Sequence, residues 1–296
     1  MNIEKLIIKK EILDTYRPFP KALIQNLDEW FAVELTYTSN AIEGNTLTRA
    51  ETALVVEKGL TIGGKSLREH FEVNNHIHAL DWVKSLVNNK ISHITQETII
   101  EIQRLILNSI DDTHAGFYRN IPVRISGSPV ILPNPLKVGT LMSEFIEWLH
   151  TADIHPVEIA FMSHYKLVSI HPFVDGNGRT ARLLMNLILM MAGYPPAIIR
   201  PEDRLAYIKS LEKAQMGGSL DDYLTLMVKA VDRSLEIYIK ALRGESTTQT
   251  ETTTELLKIG KLSSLSDTPL ATLRFWTHEG LLNIASTTPS GYWLFS

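Results

Sequence analysis

The chain has 296 residues, 44% of them hydrophobic, enough to bury one large core or one core with a small appendage. Its 29 basic and 33 acidic residues leave a net charge of −4, which excludes a global attraction for nucleic acid or an anionic membrane. The absence of cysteine excludes disulfides, thiolate catalysis and Cys-type zinc sites, and the chain is expected in a reducing, cytoplasmic compartment.

Residues 1–12 alternate charged and apolar side chains and lack the unbroken apolar stretch and cleavage site of a signal peptide. The most apolar run, 183–192, is too short to span a bilayer, so no membrane association is expected. Arg17-Pro18-Phe19-Pro20 reads as a punctuated, extended stretch. From 28 to 43, Trp30, Phe31, Leu35, Ala41 and Ile42 recur at helical spacing, and Gly44-Asn45 supplies a stop. Ser39 and Glu43 share a face of that helix, and taken alone Glu43 is a surface carboxylate.

Residues 46–110 predict further helices, with a capping box at Thr48 to Glu51 and a break at Gly63-Gly64. His70, His76 and His78 do not fall at metal-ligand spacing and are assigned ordinary surface or core roles. Over 116–135 the pattern changes: Ile121, Val123 and Ile125, a Ser-Gly-Ser-Pro cluster at 126–129, then Val130, Ile131 and Leu132 predict a β-hairpin. Helices over 141–150 and 155–170 follow, in which His155 and His164 are taken as structural.

The segment 171–182 reads His-Pro-Phe-Val-Asp-Gly-Asn-Gly-Arg-Thr-Ala-Arg. Pro172, Gly176 and Gly178 oppose a regular helix, whereas Leu183, Leu184, Leu187, Ile188 and Met191 demand one. A glycine-containing loop therefore opens onto a helix N-terminus, whose free N–H groups and dipole favour an anion. Arg179 and Arg182 can neutralise a polyphosphate, Asp175 is a hard oxygen ligand for Mg²⁺ held together with phosphates, and His171 is a general base at neutral pH.

The whole string matches the motif His-x-Phe-x-Asp/Glu-Gly-Asn-Gly-Arg-x-x-Arg, and residues 10–243 resemble the Fic family of protein adenylyltransferases. The resemblance implies a mainly α fold: a helical core over 1–243 with the hairpin of 116–135 as a flap. It implies transfer of AMP from ATP to a Ser, Thr or Tyr hydroxyl of a target protein. His171 would deprotonate that hydroxyl and Asp175 would hold Mg²⁺ or Mn²⁺. Gly176, Asn177 and Gly178 would form the anion hole, with Arg179, Thr180 and Arg182 of the first helical turn completing the ATP site. Ser39 to Gly44 resembles the family's inhibitory motif, Ser/Thr-x-x-x-Glu-Gly/Asn, which implies that a helix over 28–45 blocks the γ-phosphate through pairing of Glu43 with Arg182. Ile121, Val123, Val130, Ile131 and Leu132 would meet the target by strand addition. Tyr207 stands where relatives place an aromatic ring against the nucleotide, with Gln215 where some carry asparagine.

Residues 244–254 are polar and Thr-rich and read as a linker. Beyond it, 255–296 predicts two short helices and a β-wing, and 272–282 resembles the helix-turn-helix of MerR-type regulators. From 251 to 296 there are three Lys or Arg against four Asp or Glu, which is poor for phosphate contacts, so protein contact and DNA binding both stay open for this winged helix. Removal of AMP, transfer of another nucleotidyl or phosphoryl group, and a DNA-binding regulator with an ATP-sensing Fic domain are the rival functions. Homo-oligomerisation is left open.

Overall fold

The computed structural model describes residues 3–245 and, of the tail, 257–259, 262–263, 270–278, 286–287 and 293–295. The chain divides into two compact units, 1–245 and 246–296. The first is helical: α1 (Glu4–Asp14), α2 (Lys21–Ile42), α3 (Arg49–Lys58), α4 (Leu67–Asn88), α5 (Gln96–Leu107), α6 (Val138–Thr151), α7 (Pro156–Ile170), α8 (Asn177–Met191), α9 (Arg204–Gln215) and α10 (Asp221–Leu242).

The core forms around α8, which packs along α7 and is flanked by α5, α4 and α2. Leu183, Leu184, Met185, Leu187 and Leu189 are each at most 1% exposed, so α8 is buried on all sides beyond its first turn. Each such side chain withdrawn from water contributes about 2 kcal/mol, which makes α8 the rigid member that carries the preceding loop. Capping sets the register of its neighbours. Thr48 and Glu51 form the expected box at α3, and Ser66 and Glu69 form another at α4. Pro156 occupies the first position of α7, where its missing N–H costs nothing.

Two expectations need correction. The inhibitory-motif helix begins at Lys21, not near 28: Pro20 precedes it with φ −59° already set, and Leu23 and Ile24 pack against the core to hold the first turns. Its C-terminal end is as expected, with Gly44 at φ 99°. The other correction concerns 116–134, which contains no strand. The turn is present, with Gly127 at φ 77° and the Ser128 N–H bonded to the Ile125 carbonyl. The ladder is absent because Pro122, Pro129 and Pro133 remove donors and the Arg119 guanidinium takes the carbonyls of Ile121 and Pro133 for itself.

In the tail, α11 (Leu270–His278) is accompanied by β1 (Leu257–Lys258), β2 (Ser286–Thr287) and β3 (Trp293–Phe295), an antiparallel sheet in the order β1-β3-β2. The linker expected at 244–254 lies outside the described residues from 246 onward, as do the break at Gly280-Leu281-Leu282 and the predicted wing residues Gly291 and Tyr292. No helix among the described residues is long and apolar enough to cross a membrane.

Candidate active site

His171 ends α7 in the left-handed conformation, φ 51°, a state that costs a non-glycine residue about 1 kcal/mol. Its Nδ1 lies 3.3 Å from the Val168 carbonyl, which can only accept, so the hydrogen sits on Nδ1 and the Nε2 lone pair is left bare. Burial lowers the pKa of His171; the bond to Val168 and the charges of Glu43 and Asp175 oppose that shift without reversing it. The ring is therefore a neutral base at pH 7.

The loop from His171 to α8 is pinned at both ends. Asn177 accepts the Phe173 N–H at 2.9 Å and returns its own amide to the Phe173 carbonyl at 2.9 Å. Its side chain is thus a loop clamp rather than an anion ligand; what it offers an anion is its backbone N–H. No side chain caps α8, whose N-cap is Gly176 at φ 82°. The N–H groups of Asn177, Gly178 and Arg179 in its first turn have no intrahelical acceptor, and Gly178 is half-buried.

Two buried guanidiniums flank that turn. Arg179 is 3% exposed and its Nε and Nη1 have no hydrogen-bond partner in the structure; its nearest carboxylates, Asp175 and Glu72, lie at 3.6 and 3.8 Å. A buried cation with vacant donors beside a helix N-terminus is suited to an anion. Arg182 is occupied instead: its Nε donates to the Ser39 hydroxyl at 3.0 Å, and its Nη2 to the Ser39 carbonyl at 3.0 Å and to Glu43 Oε1 at 2.6 Å. The two residues of the inhibitory motif thus engage one arginine. Burial raises the pKa of Glu43, but Arg182, then Arg179, outweigh it and hold the carboxyl below the usual carboxylate range. That carboxylate lies directly over Gly178, where an added Cβ would collide with it and would stand 3.1 Å from Arg182 Nη1. Glu43 therefore fills the space in front of the α8 N-terminus.

Asp175 is half-exposed, accepts the Gly176 N–H at 2.6 Å, and faces Arg68 Nη2 at 3.3 Å. Among the described residues no group of three or more His, Cys, Asp or Glu could hold a metal ion. The donor set fits a hard cation shared with phosphate oxygens, and does not fit a metal held by protein alone.

Several expected site residues lie elsewhere. Thr180 is fully buried within the packing of α8, its hydroxyl unpartnered. Tyr207 is 3% exposed, and its hydroxyl bonds His164 Nε2 at 2.8 Å. Its helical phase on α9 turns it inward. Gln215 donates to the Val168 carbonyl at 3.3 Å, beside His171. Of the flap residues, Ile121 and Ile131 are exposed, at 48% and 93%, while Val123, Val130 and Leu132 are half-buried.

Sequence reasoning missed Arg119. It is 3% exposed, donates to the carbonyls of His171 at 2.7 Å, Ile121 at 3.2 Å and Pro133 at 2.7 Å, and its N–H bonds the Pro172 carbonyl at 2.9 Å. Both flap arms are thereby tied to the His171 loop. The one signal was an arginine directly after Phe117-Tyr118, before the apolar alternation begins. Arg68, which faces Asp175, had no signal at all.

Comparison with known proteins agrees with this geometry. Residues 93–189 match the profile of the Fic/DOC family. A protein adenylyltransferase Fic of Nematostella vectensis is 44% identical over 206 residues, covering 69% of this chain and 48% of the relative. The chain spans about half the length of the curated relatives it matches. Among solved structures, residues 134–508 of Fic-1 from C. elegans superpose with a TM-score of 0.73 at 34% identity, over 81% of this chain and 72% of that one. A Fic domain-containing signaling protein from Bacteroides thetaiotaomicron does so with a TM-score of 0.73 at 31% identity, over 83% of this chain and 99% of that one. Shared sequence, shared fold and the converging loop-to-helix geometry together establish that this chain belongs to the Fic/DOC family.

Proposed function

We propose that this chain is a protein adenylyltransferase that moves AMP from ATP to a hydroxyl of a target protein, and that Glu43 restrains it. The observation that carries the proposal is the meeting of a base with a bare Nε2 and an uncapped α8 N-terminus flanked by Arg179 and Arg182. Relatives named protein adenylyltransferase, at 36–44% identity, support the same reading.

In this mechanism the ATP polyphosphate lies over Gly176 and Gly178, held by the free N–H groups of α8, by Arg179 and by Arg182. Asp175 would hold Mg²⁺ against the phosphates, and the ion when bound supplies neutralising charge. His171 Nε2 takes the proton of the target hydroxyl as its oxygen bonds to the α-phosphorus. The bond from that phosphorus to the bridging oxygen breaks, and pyrophosphate leaves with the electron pair. Positioning and fixed positive charge account for most of the acceleration, as is general for transfers at phosphorus.

Glu43 competes with the phosphates for Arg182 and for the space over Gly178. Its removal is expected to raise ATP-dependent labelling at least about tenfold, since a charge-assisted bond to a phosphate-binding arginine is released. Incubation of wild type, Glu43→Gly and Glu43→Gly/His171→Ala with Mg²⁺ and ATP, followed by intact mass, tests both claims. One added AMP unit in Glu43→Gly, and a loss of about 10²–10⁴ in rate on removing the base, is the expected result. Equal labelling of wild type and Glu43→Gly would sink the restraint, and no AMP gain in any variant would sink the transferase reading.

A further inference from the structure

The last turn of α2 ends one residue before Glu43, so whatever holds that turn also places the carboxylate. A helix leaves its last four carbonyls without intrahelical partners, and here each can be accounted for. The Ser39 carbonyl accepts from Arg182 Nη2 at 3.0 Å. The Asn40 carbonyl accepts the N–H groups of Glu43 and Asn45 at 3.0 and 3.1 Å, and the Ala41 carbonyl accepts that of Gly44 at 3.1 Å. The Ile42 carbonyl, nearest of the four to Glu43, accepts from Arg204 Nε at 2.6 Å.

Arg204 is the first residue of α9. A cation there opposes the dipole of its own helix, whereas a cation at a helix C-terminus is favoured. Its guanidinium is thus poorly placed for α9 and well placed for α2, 162 positions away in the chain. The other arginine on this turn, Arg182, flanks the anion site, and its bonds to Ser39 and Glu43 are the ones that the phosphates of ATP would contest. The Arg204 bond ends on a backbone carbonyl of α2, a partner that persists whatever becomes of Arg182. α4 grips the same end of α2 from another side. Asn40 Nδ2 donates to the Glu72 carbonyl at 3.2 Å, and Asn45 Nδ2 donates to the Glu69 carbonyl at 3.1 Å and to Glu72 Oε2 at 2.9 Å. Those bonds fall on Asn40 and Asn45, whereas Arg204 takes the residue directly before Glu43.

We propose that Arg204 is a positioning residue for the restraint: by holding the Ile42 carbonyl it keeps Glu43 seated over Gly178 against displacement by the phosphates of ATP. This rests on the reading that Glu43 restrains AMP transfer. Arg204 acts through Glu43 and touches none of the reacting groups, so its loss should release activity rather than remove it.

The test compares ATP-dependent labelling in wild type, Arg204→Ala, Glu43→Gly and Glu43→Gly/Arg204→Ala, with ATP affinity measured in the last two. Losing a charged donor to the end of α2 should raise labelling about threefold or more over wild type, and less than Glu43→Gly does, because the α4 bonds remain. Once Glu43 is gone, adding Arg204→Ala should change labelling and ATP affinity by less than about twofold. A merely structural role for Arg204 would lower labelling in both backgrounds, and that result overturns the proposal. So does an equal rise in both backgrounds, or a loss of ATP affinity in the double variant, which would make Arg204 a nucleotide ligand. If Glu43→Gly labels no faster than wild type, the restraint itself has failed; if it labels faster and Arg204→Ala does not, Arg204 alone is dismissed. A measurement on the unsubstituted protein stands apart from any effect on folding: in ¹⁵N NMR the Arg204 Nε–H should exchange slowly with solvent, and exchange at the rate of a free arginine overturns the tie to Ile42.

Discussion

At the scale of single residues, the chemistry turns on which groups are neutral and which are occupied. His171 has a lowered pKa, first because it is buried, and Glu43 is one of the charges that opposes this. The sign follows: the competent neutral base persists below the ordinary histidine range, and removing Glu43 extends that persistence to lower pH. In Glu43→Gly, kcat/KM for labelling should therefore stay level from pH 8 down past about 6.5 and decline only below it. A decline centred above that value would mean that His171 is not the base or is not buried. Among the site residues, those in contiguous sequence were legible from sequence, because a loop feeding a helix places its own residues within reach of one anion. Ser39 and Glu43 were legible only through resemblance to a known motif, since nothing in their own spacing separates an inhibitory carboxylate from a solvated one. The burial of Tyr207 was not legible, because a twelve-residue helix shows its buried face only once its neighbours are placed.

At the scale of elements, the loop before α8 is held from two directions. Asn177 closes it on itself, and Arg119 ties it to both flap arms. Arg119 has three backbone carbonyls and no carboxylate as acceptors of its guanidinium, so its task is geometric, and burial correspondingly lowers its pKa. Arg119→Ala in the Glu43→Gly background should free the flap arms and lower target labelling about tenfold or more through a raised KM for the target, with ATP affinity little changed. An equal loss of ATP affinity would show that Arg119 supports the α8 turn rather than the flap. The expected hairpin failed as a ladder for the same reason: apolar alternation predicts strand-like backbone, yet prolines at 122, 129 and 133 and a guanidinium bridging the arms leave few backbone groups to pair.

At the scale of the whole molecule, the helical unit encloses two histidines that burial holds neutral. His76, bonded to Thr36 at 3.0 Å, and His164 both have pKa values pushed down to about 3, first by burial and then by the nearby arginines. Below the unfolded value of about 6.5 the unfolded chain binds two protons that the folded chain refuses. Their contribution to stability is complete above that pH and is lost progressively as pH falls toward 3. The unfolding free energy should thus drop by about 2.7 kcal/mol per pH unit just below pH 6, about 1.4 for each proton. Urea titrations between pH 7 and 5 measure it, and a flat profile would mean that one or both rings open to solvent at little cost.

The amino-acid sequence by itself determined the apolar α8, the loop that precedes it and the chemical character of 171–182, because these depend on periodicity and on residues adjacent in the chain. It also carried the expectation of phosphate chemistry, since glycine, arginine, aspartate and histidine fall there within one turn of helix and its approach. Only the tertiary structure decided which arginine is already occupied, that Glu43 lies over Gly178, that Arg119 joins residues 121 and 133 to the His171 loop, and that Tyr207 bonds His164. Those contacts join residues 43 to 143 positions apart, or depend on which face of a helix is turned inward. Long-range packing sets them, and no local pattern encodes it.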